Sequence, residues 1–157
     1  MTDKLLVNQE DVARAIFSPL MIDDDGNLSR AAFALRHNED YISVAQTSIS
    51  SWKNDIRSIP ENANRRLYGY CLLNVKSIRE LNFVYRKYQA VFEVVEKHTP
   101  SNPSHSGIYV LLDNAILKGD RKKGLKNIPE DVAVDTFTMR YQRKLVNLAQ
   151  GNICIAS

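Results

Sequence analysis

Three short apolar runs in the middle of the chain constrain its fold most strongly. They read "LYGYCLLNV" (67–75), "VFEVVEK" (91–97) and "IYVLL" (108–112). Aromatic and aliphatic residues at this density and length are typical of buried strands. The polar loop "TPSNPSHSG", with two prolines and a glycine, separates the second run from the third. A fourth run, "YISVAQ" (41–46), alternates in the manner of a half-buried strand.

Other segments carry the spacing of amphipathic helices, in which apolar residues recur every three or four positions. One stripe lies between residues 48 and 59 and consists of Ile49, Trp52, Ile56 and Ile59. A second follows a capping box formed by Ser77 and Glu80, and consists of Ile78, Leu81, Tyr85 and Tyr88. The third, at 130–149, begins near Pro129 and consists of Val134, Phe137, Tyr141, Leu145 and Leu148.

Together these patterns predict an α+β fold in one domain spanning 1–157. We expect a small, mostly antiparallel sheet packed by two or three helices, including the C-terminal helix near 130–149. The stretch "NQEDVARAIF" starts like a helix capped by Asn8, while "RAIFSPLMI" equally suits a strand, so this segment stays open. Residues 118–127 are predicted to form a basic linker.

Composition narrows the class of protein. The apolar fraction of 44% and charged fraction of 25% are ordinary for a folded globular chain. No apolar run approaches the roughly 20 residues of a membrane span, and no secretory signal is recognisable, so a cytoplasmic location is expected. The two cysteines, Cys71 and Cys154, are too few for a disulfide framework or a zinc site. No cofactor is predicted.

Charge is unevenly distributed along the chain. Residues 1–45 hold eight acidic and four basic residues, whereas the remainder holds 17 basic and 10 acidic residues. A basic set in the predicted linker offers a surface for nucleic acid or other anions, because lysine and arginine neutralise phosphates. Its members are Lys118, Arg121, Lys122, Lys123 and Lys126. A solvated, charged loop is the alternative.

His105 is the first candidate for catalysis, because it sits where a loop enters a strand and its pKa lies near working pH. Arginine, histidine and hydroxyl side chains suit binding of a phosphate or carboxylate, so the candidate partners are Arg14, Ser29, Arg30, Arg36 and His37. A polar turn and solvated arginines are the alternative. His37, His98 and His105 show no metal-ligand spacing, and no metal is predicted.

Three segments of the chain resemble a loose group of small bacterial proteins that have no assigned activity. The resemblance covers roughly residues 14–110 and rests on "RAIFSPLMIDDDGNLSRAAFALR", "YISV" and "NPSHSGIYV". The matching positions are Arg14, Ile16, Ser29, Ala32, Phe33, Ser43, Val44, Pro103 and His105. The resemblance implies that Arg14, Ser29 and His105 form one cluster.

Two functions remain in competition at the level of sequence. The first is a non-catalytic binding or accessory module of a bacterial cytoplasmic complex, with a protein partner and nucleic acid as a further candidate partner. The second is an enzyme acting on a phosphate-bearing substrate, such as a nucleotide or RNA, with His105 as acid/base. A homodimer formed through the helix at 130–149 is a further hypothesis.

Overall fold

In the computed structural model, which describes residues 3–156, the fold is built on a twisted antiparallel sheet. Within those residues the sheet has eight strands in the order β10-β3-β1-β2-β6-β5-β4, and β7 pairs with β6. A separate hairpin joins β8 and β9. The strand bounds are β1 Asp11–Ser18, β2 Ile42–Gln46, β3 Arg66–Asn74, β4 Phe83–Tyr85, β5 Tyr88–Glu96, β6 His105–Leu112, β7 Ala115–Ile116, β8 Lys118–Asp120, β9 Gly124–Lys126 and β10 Ile153–Ile155.

Three α-helices accompany the sheet within residues 3–156: α1 Trp52–Arg57, α2 Val75–Arg79 and α3 Val134–Ala149. The C-terminal helix α3 buries Phe137, Tyr141 and Leu145 completely, as its stripe predicts. Phe137 packs on Phe83 and Tyr85 of β4, with ring centroids 5.7 and 5.5 Å away. The predicted α+β class, with a mostly antiparallel sheet and a C-terminal helix, is confirmed.

The segment that the sequence left open is a central strand of the sheet. β1 pairs with β3 along its whole length, from Asp11 opposite Asn74 to Ser18 opposite Arg66. Its pairing with β2, on the other side, covers only Val12 and Ala13. Because ladder hydrogen bonds stop there, the two central strands separate beyond Ala13. This separation creates the opening in which the candidate site lies.

The helix predicted after Ser77 is wrong beyond Arg79, where the five-residue helix α2 ends. Asn74, rather than Ser77, caps α2, and its side-chain oxygen accepts from the Ser77 amide. The chain then forms the β4–β5 hairpin, with Tyr85 opposite Tyr88 and Arg86 at a φ of +56°. Residues spaced by three can share a helix face or flank a two-residue turn, so the pattern was ambiguous.

The predicted basic linker at 118–127 is also wrong, because these residues form the β8–β9 hairpin. Gly119 lies against the carbonyl of Arg36, where a Cβ would come within 1.9 Å of the oxygen. The Gly119 amide donates to the Glu39 carbonyl, and its carbonyl accepts from Asn38. The hairpin is thus fixed to residues 36–39. Within residues 3–156 no helix is long and apolar enough to cross a membrane.

Candidate functional site

A cavity of about 220 Å³ occupies the opening between β1 and β2. That volume is several times the roughly 30 Å³ that one water molecule takes up in the liquid. Side chains of Ala13 and Ala45, which face each other across the two strands, line it together with Ile56 of α1. We call it the arginine cavity, because its wall also contains Arg14, Arg36 and Arg65.

The three arginines give the cavity an excess of positive charge. Its wall holds two carboxylates, Glu39 and Asp55. Within residues 3–156 none of the three guanidinium groups lies within 4.0 Å of a carboxylate oxygen. Positive charges that lack ion-pair partners in a recessed site favour an anionic ligand.

Arg14 is built into the opening between the strands. Its Nε donates to the Ala32 carbonyl at 2.8 Å, and its Nη1 donates to the Ser43 carbonyl at 2.8 Å. The Ser43 carbonyl belongs to β2, so the guanidinium takes the place of a missing strand partner. Burial lowers the pKa of Arg14 to about 10, and the group therefore stays charged at neutral pH.

Arg65 presents a donor with no partner. Its guanidinium stacks 4.2 Å from the centre of the Phe17 ring, which holds the group by a cation–π contact. Its buried Nε donates to no atom of residues 3–156. Burial, and next the nearby charge of Arg36, lower the pKa of Arg65. A buried unsatisfied donor costs about 1–3 kcal/mol, so an anion that accepts from Nε is stabilised here.

His105 projects into the same cavity from the start of β6. It lies opposite Ala45, while Ser43 lies opposite Gly107, so His105 and Ser43 share one face of the sheet. The His105 Nε2 is 3.3 Å from the Ser43 hydroxyl. Burial lowers the pKa of His105, although the nearby Lys97 backbone acts in the opposite direction. The imidazole is therefore neutral at pH 7 and available as a base.

Asp55 holds the loop that carries His105. Its Oδ2 accepts from the Ser104 amide at 3.1 Å, the Ser104 hydroxyl at 2.5 Å and the Ser51 hydroxyl at 3.0 Å. Burial raises the pKa of Asp55, but these hydrogen bonds outweigh it and leave the pKa below its ordinary value of 3.8. Ser104 is completely buried. The serine before the histidine thus fixes the loop onto α1.

Gly107, two residues after His105, has a packing role. A Cβ at Gly107 would come within 2.6 Å of the Tyr41 ring, so the tyrosine rests directly on the backbone of β6. The same ring lies 5.6 Å from the His105 ring, measured between centroids. Tyr41 therefore packs beside the imidazole and restricts its orientation. In the short sequence "SHSG", Ser104 fixes the loop, His105 supplies the imidazole and Gly107 leaves space for the Tyr41 ring.

Replacing Asp55 with asparagine is expected to destabilise the protein by about 1–2 kcal/mol at pH 7, because the charge-assisted bonds to Ser104 weaken. The folded pKa of Asp55 lies below the unfolded value. Its stabilising effect is therefore complete above about pH 5 and is lost as the pH falls through the folded pKa. Urea unfolding of both proteins between pH 2 and 7 measures this difference.

The expected curves for wild type and Asp55→Asn converge at the acid end of that range. The exposed Glu61 offers no matched carboxylate, because its Oε2 accepts from the Leu67 amide. Asp24 is exposed and supplies the control: Asp24→Asn should track wild type throughout. A constant offset between wild type and Asp55→Asn down to pH 2 would contradict the assigned role of the Asp55 charge.

A second cavity, of about 260 Å³, adjoins the first. The two share Phe17, Met21, Arg36 and Arg65, so the two arginines stand at their junction. Asn62 and Asn64 add amide groups to the second cavity. An anion held by Arg36 and Arg65 would have space on both sides.

The structure brings two of the three predicted catalytic residues together. Arg14 and His105 both line the arginine cavity. Ser29 does not line it, and its hydroxyl donates to the Leu20 carbonyl at 2.6 Å. The expected cluster of three is thus reduced to two, with Ser29 fixing the backbone of a nearby turn.

The basic set lies on the β8–β9 hairpin rather than in the cavity. Arg121, Lys122 and Lys123 are exposed at its turn, while Lys126 lies 3.7 Å from Asp120 and donates to Asn38. Among the described residues no group of three His, Cys, Asp or Glu side chains is placed to hold a metal ion.

The sequence assigns no functional role to Arg65, Asp55 or Ser43. Arg36 is among the predicted candidate partners of His105, with a solvated surface charge as the alternative, and Ser43 is one of the positions of the resemblance. Arg65 stands in a polar stretch, "ENANRR", and Asp55 on the exposed side of a helical stripe. The one sequence signal for these residues is Arg65 next to the polar residues of "ENAN", and such a pattern is too common to identify a site.

Comparisons with family models, with curated proteins and with solved structures find no match for this chain.

Proposed function

We propose that the protein is an enzyme acting on a phosphate-bearing substrate, such as a nucleotide or RNA. Arg14, Arg36 and Arg65 hold the phosphate, and His105 is the acid–base group. The observation that carries the proposal is that His105 and three arginines without carboxylate partners among residues 3–156 line one cavity. Guanidinium groups suit phosphate because their donors are arranged as a planar fork.

The protonation state of His105 supports a role as base. A neutral imidazole takes a proton from the attacking hydroxyl or water and later gives it to the leaving oxygen. Positive groups fixed around the phosphate stabilise the charge that develops on its oxygens. Arg14 contributes through a guanidinium already fixed by two backbone carbonyls, so it needs little rearrangement.

The shape and polarity of the two cavities favour a substrate larger than a bare phosphate. The carboxylates of Asp55 and Glu39 line the arginine cavity and offer acceptors for hydroxyl or amino groups. Oδ1 of Asp55 accepts no hydrogen bond from residues 3–156, since all three donors reach Oδ2. The adjoining cavity has room for a substituent beyond Arg65. Nucleotides combine these features, because they carry an anion, hydroxyl groups and a further substituent.

Arg65→Ala is expected to weaken binding of inorganic phosphate and of adenosine monophosphate by about 10- to 100-fold. The reason is loss of a charge-assisted hydrogen bond, each worth about 1.5–3 kcal/mol. Isothermal titration calorimetry at low ionic strength measures both affinities. Raising the salt concentration should weaken binding to the wild-type protein, because part of the attraction is screened.

Arg66→Ala is the matched control, since Arg66 is the next residue, has the same charge and is exposed outside both cavities. Its affinities should stay within twofold of wild type. Equal losses in Arg65→Ala and Arg66→Ala would reduce the effect to net charge and overturn the assignment. Absence of phosphate and nucleotide binding to the wild-type protein would end the proposal.

A binding module is the second candidate, and the β8–β9 hairpin favours it. Arg121, Lys122 and Lys123 form an exposed basic turn, and the hairpin is attached to the segment that supplies Arg36 and Glu39. Such a turn suits the phosphate backbone of a nucleic acid. If the wild-type protein binds RNA in a salt-dependent manner through this turn but turns over no phosphate-bearing substrate, the binding module is the better description.

A further inference from the structure

The hydroxyl of Ser43 stands closest to the His105 imidazole within the arginine cavity. Its Oγ lies 3.3 Å from Nε2, which is within the looser range found for a nucleophile and its base when no substrate is bound. Ser43 is partly exposed and lines the cavity. The hydroxyl can therefore reach a bound ligand as well as the imidazole.

The neighbouring serines are placed differently. Ser104 and Ser106 flank His105 in sequence, but both are completely buried. The Ser104 hydroxyl donates to Asp55, and the Ser106 hydroxyl donates to the Ser104 carbonyl. Of these three serines, only Ser43 combines access to the cavity with contact to the imidazole.

Both members of the pair are held in place by the backbone. Arg14 donates to the carbonyl of Ser43 itself, which fixes β2 at that residue. The His105 carbonyl accepts from the Lys97 amide at 2.9 Å, which fixes the start of β6, and the His105 ring packs beside Tyr41. With the ring proton on Nδ1, the free Nε2 accepts the proton of the serine hydroxyl. A base oriented by a third group is the arrangement that activates a serine.

We propose that Ser43 is a nucleophile activated by His105, and that the reaction passes through a phosphoserine at residue 43. This inference rests on the proposed action on a phosphate-bearing substrate. The Ser43 Oγ–P bond forms while the bond from phosphorus to the leaving oxygen breaks. The hydroxyl proton passes to His105 and then to that oxygen. In the second step His105 takes a proton from water, the water oxygen forms a bond to phosphorus while the Oγ–P bond breaks, and His105 returns the proton to the Ser43 oxygen as the phosphate leaves.

The test uses the full chain and diisopropyl fluorophosphate, an organophosphate that reacts with activated serines. Attack by Ser43 forms an Oγ–P bond and releases fluoride, and the hydroxyl proton leaves through His105. Mass spectrometry of the digested protein should find the adduct on the peptide that contains Ser43. Labelling should be absent in Ser43→Ala and at least tenfold slower in His105→Ala. Inorganic phosphate should protect the wild-type protein.

Ser48 is the internal reference, because it is exposed and its hydroxyl donates to Glu10 rather than to a histidine. Equal labelling of Ser48 and Ser43, or no labelling of Ser43, would overturn the nucleophile assignment. Turnover of an RNA oligonucleotide that persists at the wild-type rate in Ser43→Ala would do the same. The proposed function survives those results if phosphate still binds and His105 is required, and fails if neither holds.

Discussion

His105→Ala is expected to reduce turnover of a phosphate-bearing substrate by about 100- to 10,000-fold, the usual contribution of a positioned acid–base group. Binding of inorganic phosphate should change little, because the three arginines that hold it remain. The loss should therefore appear in kcat rather than in KM. A fluorescent RNA oligonucleotide and a panel of nucleotides, with products separated by chromatography, provide the assay.

The pH dependence of turnover is a second test of the role of His105. Burial keeps the pKa of His105 below its ordinary value of 6.5, so the base is neutral at pH 7 and becomes protonated in acid. We expect kcat/KM of the wild-type protein to be level near neutrality and to fall on the acid side of pH 6.5. The acid limb should vanish from the residual rate of His105→Ala.

His98→Ala is the matched control for His105→Ala. His98 lies seven residues earlier in the chain, its Nε2 contacts the Gln46 side chain at 2.8 Å, and it does not line the arginine cavity. Its turnover should remain within twofold of wild type. A His105→Ala protein that folds normally and turns over substrate at the wild-type rate would rule out His105 as the acid–base group.

Arg14→Ala is expected to lower the free energy of unfolding by roughly 2–5 kcal/mol, the largest stability change we expect at the site. The substitution leaves the Ala32 and Ser43 carbonyls without the donors that now reach them at 2.8 Å. It also leaves a void between β1 and β2. Urea unfolding at pH 7, followed by circular dichroism and by fluorescence of Trp52, measures the change.

Two further variants separate charge from hydrogen-bond geometry at this position. Arg14→Lys keeps the charge, but an ammonium group lacks the planar fork that serves two carbonyls at once, so an intermediate loss is expected. Arg57→Ala removes an exposed arginine of α1 and should stay within about 0.5 kcal/mol of wild type. If Arg14→Ala matched Arg57→Ala, the guanidinium would not be holding the strands.

Strands and the C-terminal helix were predictable because their signals are local. Alternation in "YISVAQ" marked β2, and the stripe through Phe137, Tyr141 and Leu145 marked α3. The helix predicted for residues 78–88 was wrong because the same spacing of apolar residues fits both a helix face and a tight hairpin. The outcome depends on Asn74 capping α2 and on Arg86 adopting a positive φ. The β8–β9 hairpin depends on Gly119 fitting against Arg36, a contact between residues far apart in sequence.

The site was only half predictable for a similar reason. His105 and Arg14 stand out by residue type, and the fold places both at one cavity. Arg65 reaches that cavity through its stacking on Phe17, and Ser43 through its register with β6. Those relations arise from strand pairing and packing, which residue spacing along the chain does not encode. Ser29, by contrast, had a suitable hydroxyl but lies in a turn away from the cavity.

The early end of the β1–β2 ladder makes the centre of the sheet less rigid, but it creates the space in which a ligand can bind. If β1 and β2 had continued to pair beyond Ala13, amide-to-carbonyl hydrogen bonds would have joined them there and the arginine cavity would not exist. Instead, the strands separate beyond Ala13, and the Arg14 guanidinium spans the gap by donating to the Ala32 and Ser43 carbonyls. An anion bound in the arginine cavity would therefore stabilise the centre of the sheet, and the ligand-bound protein would unfold at a higher temperature than the free protein.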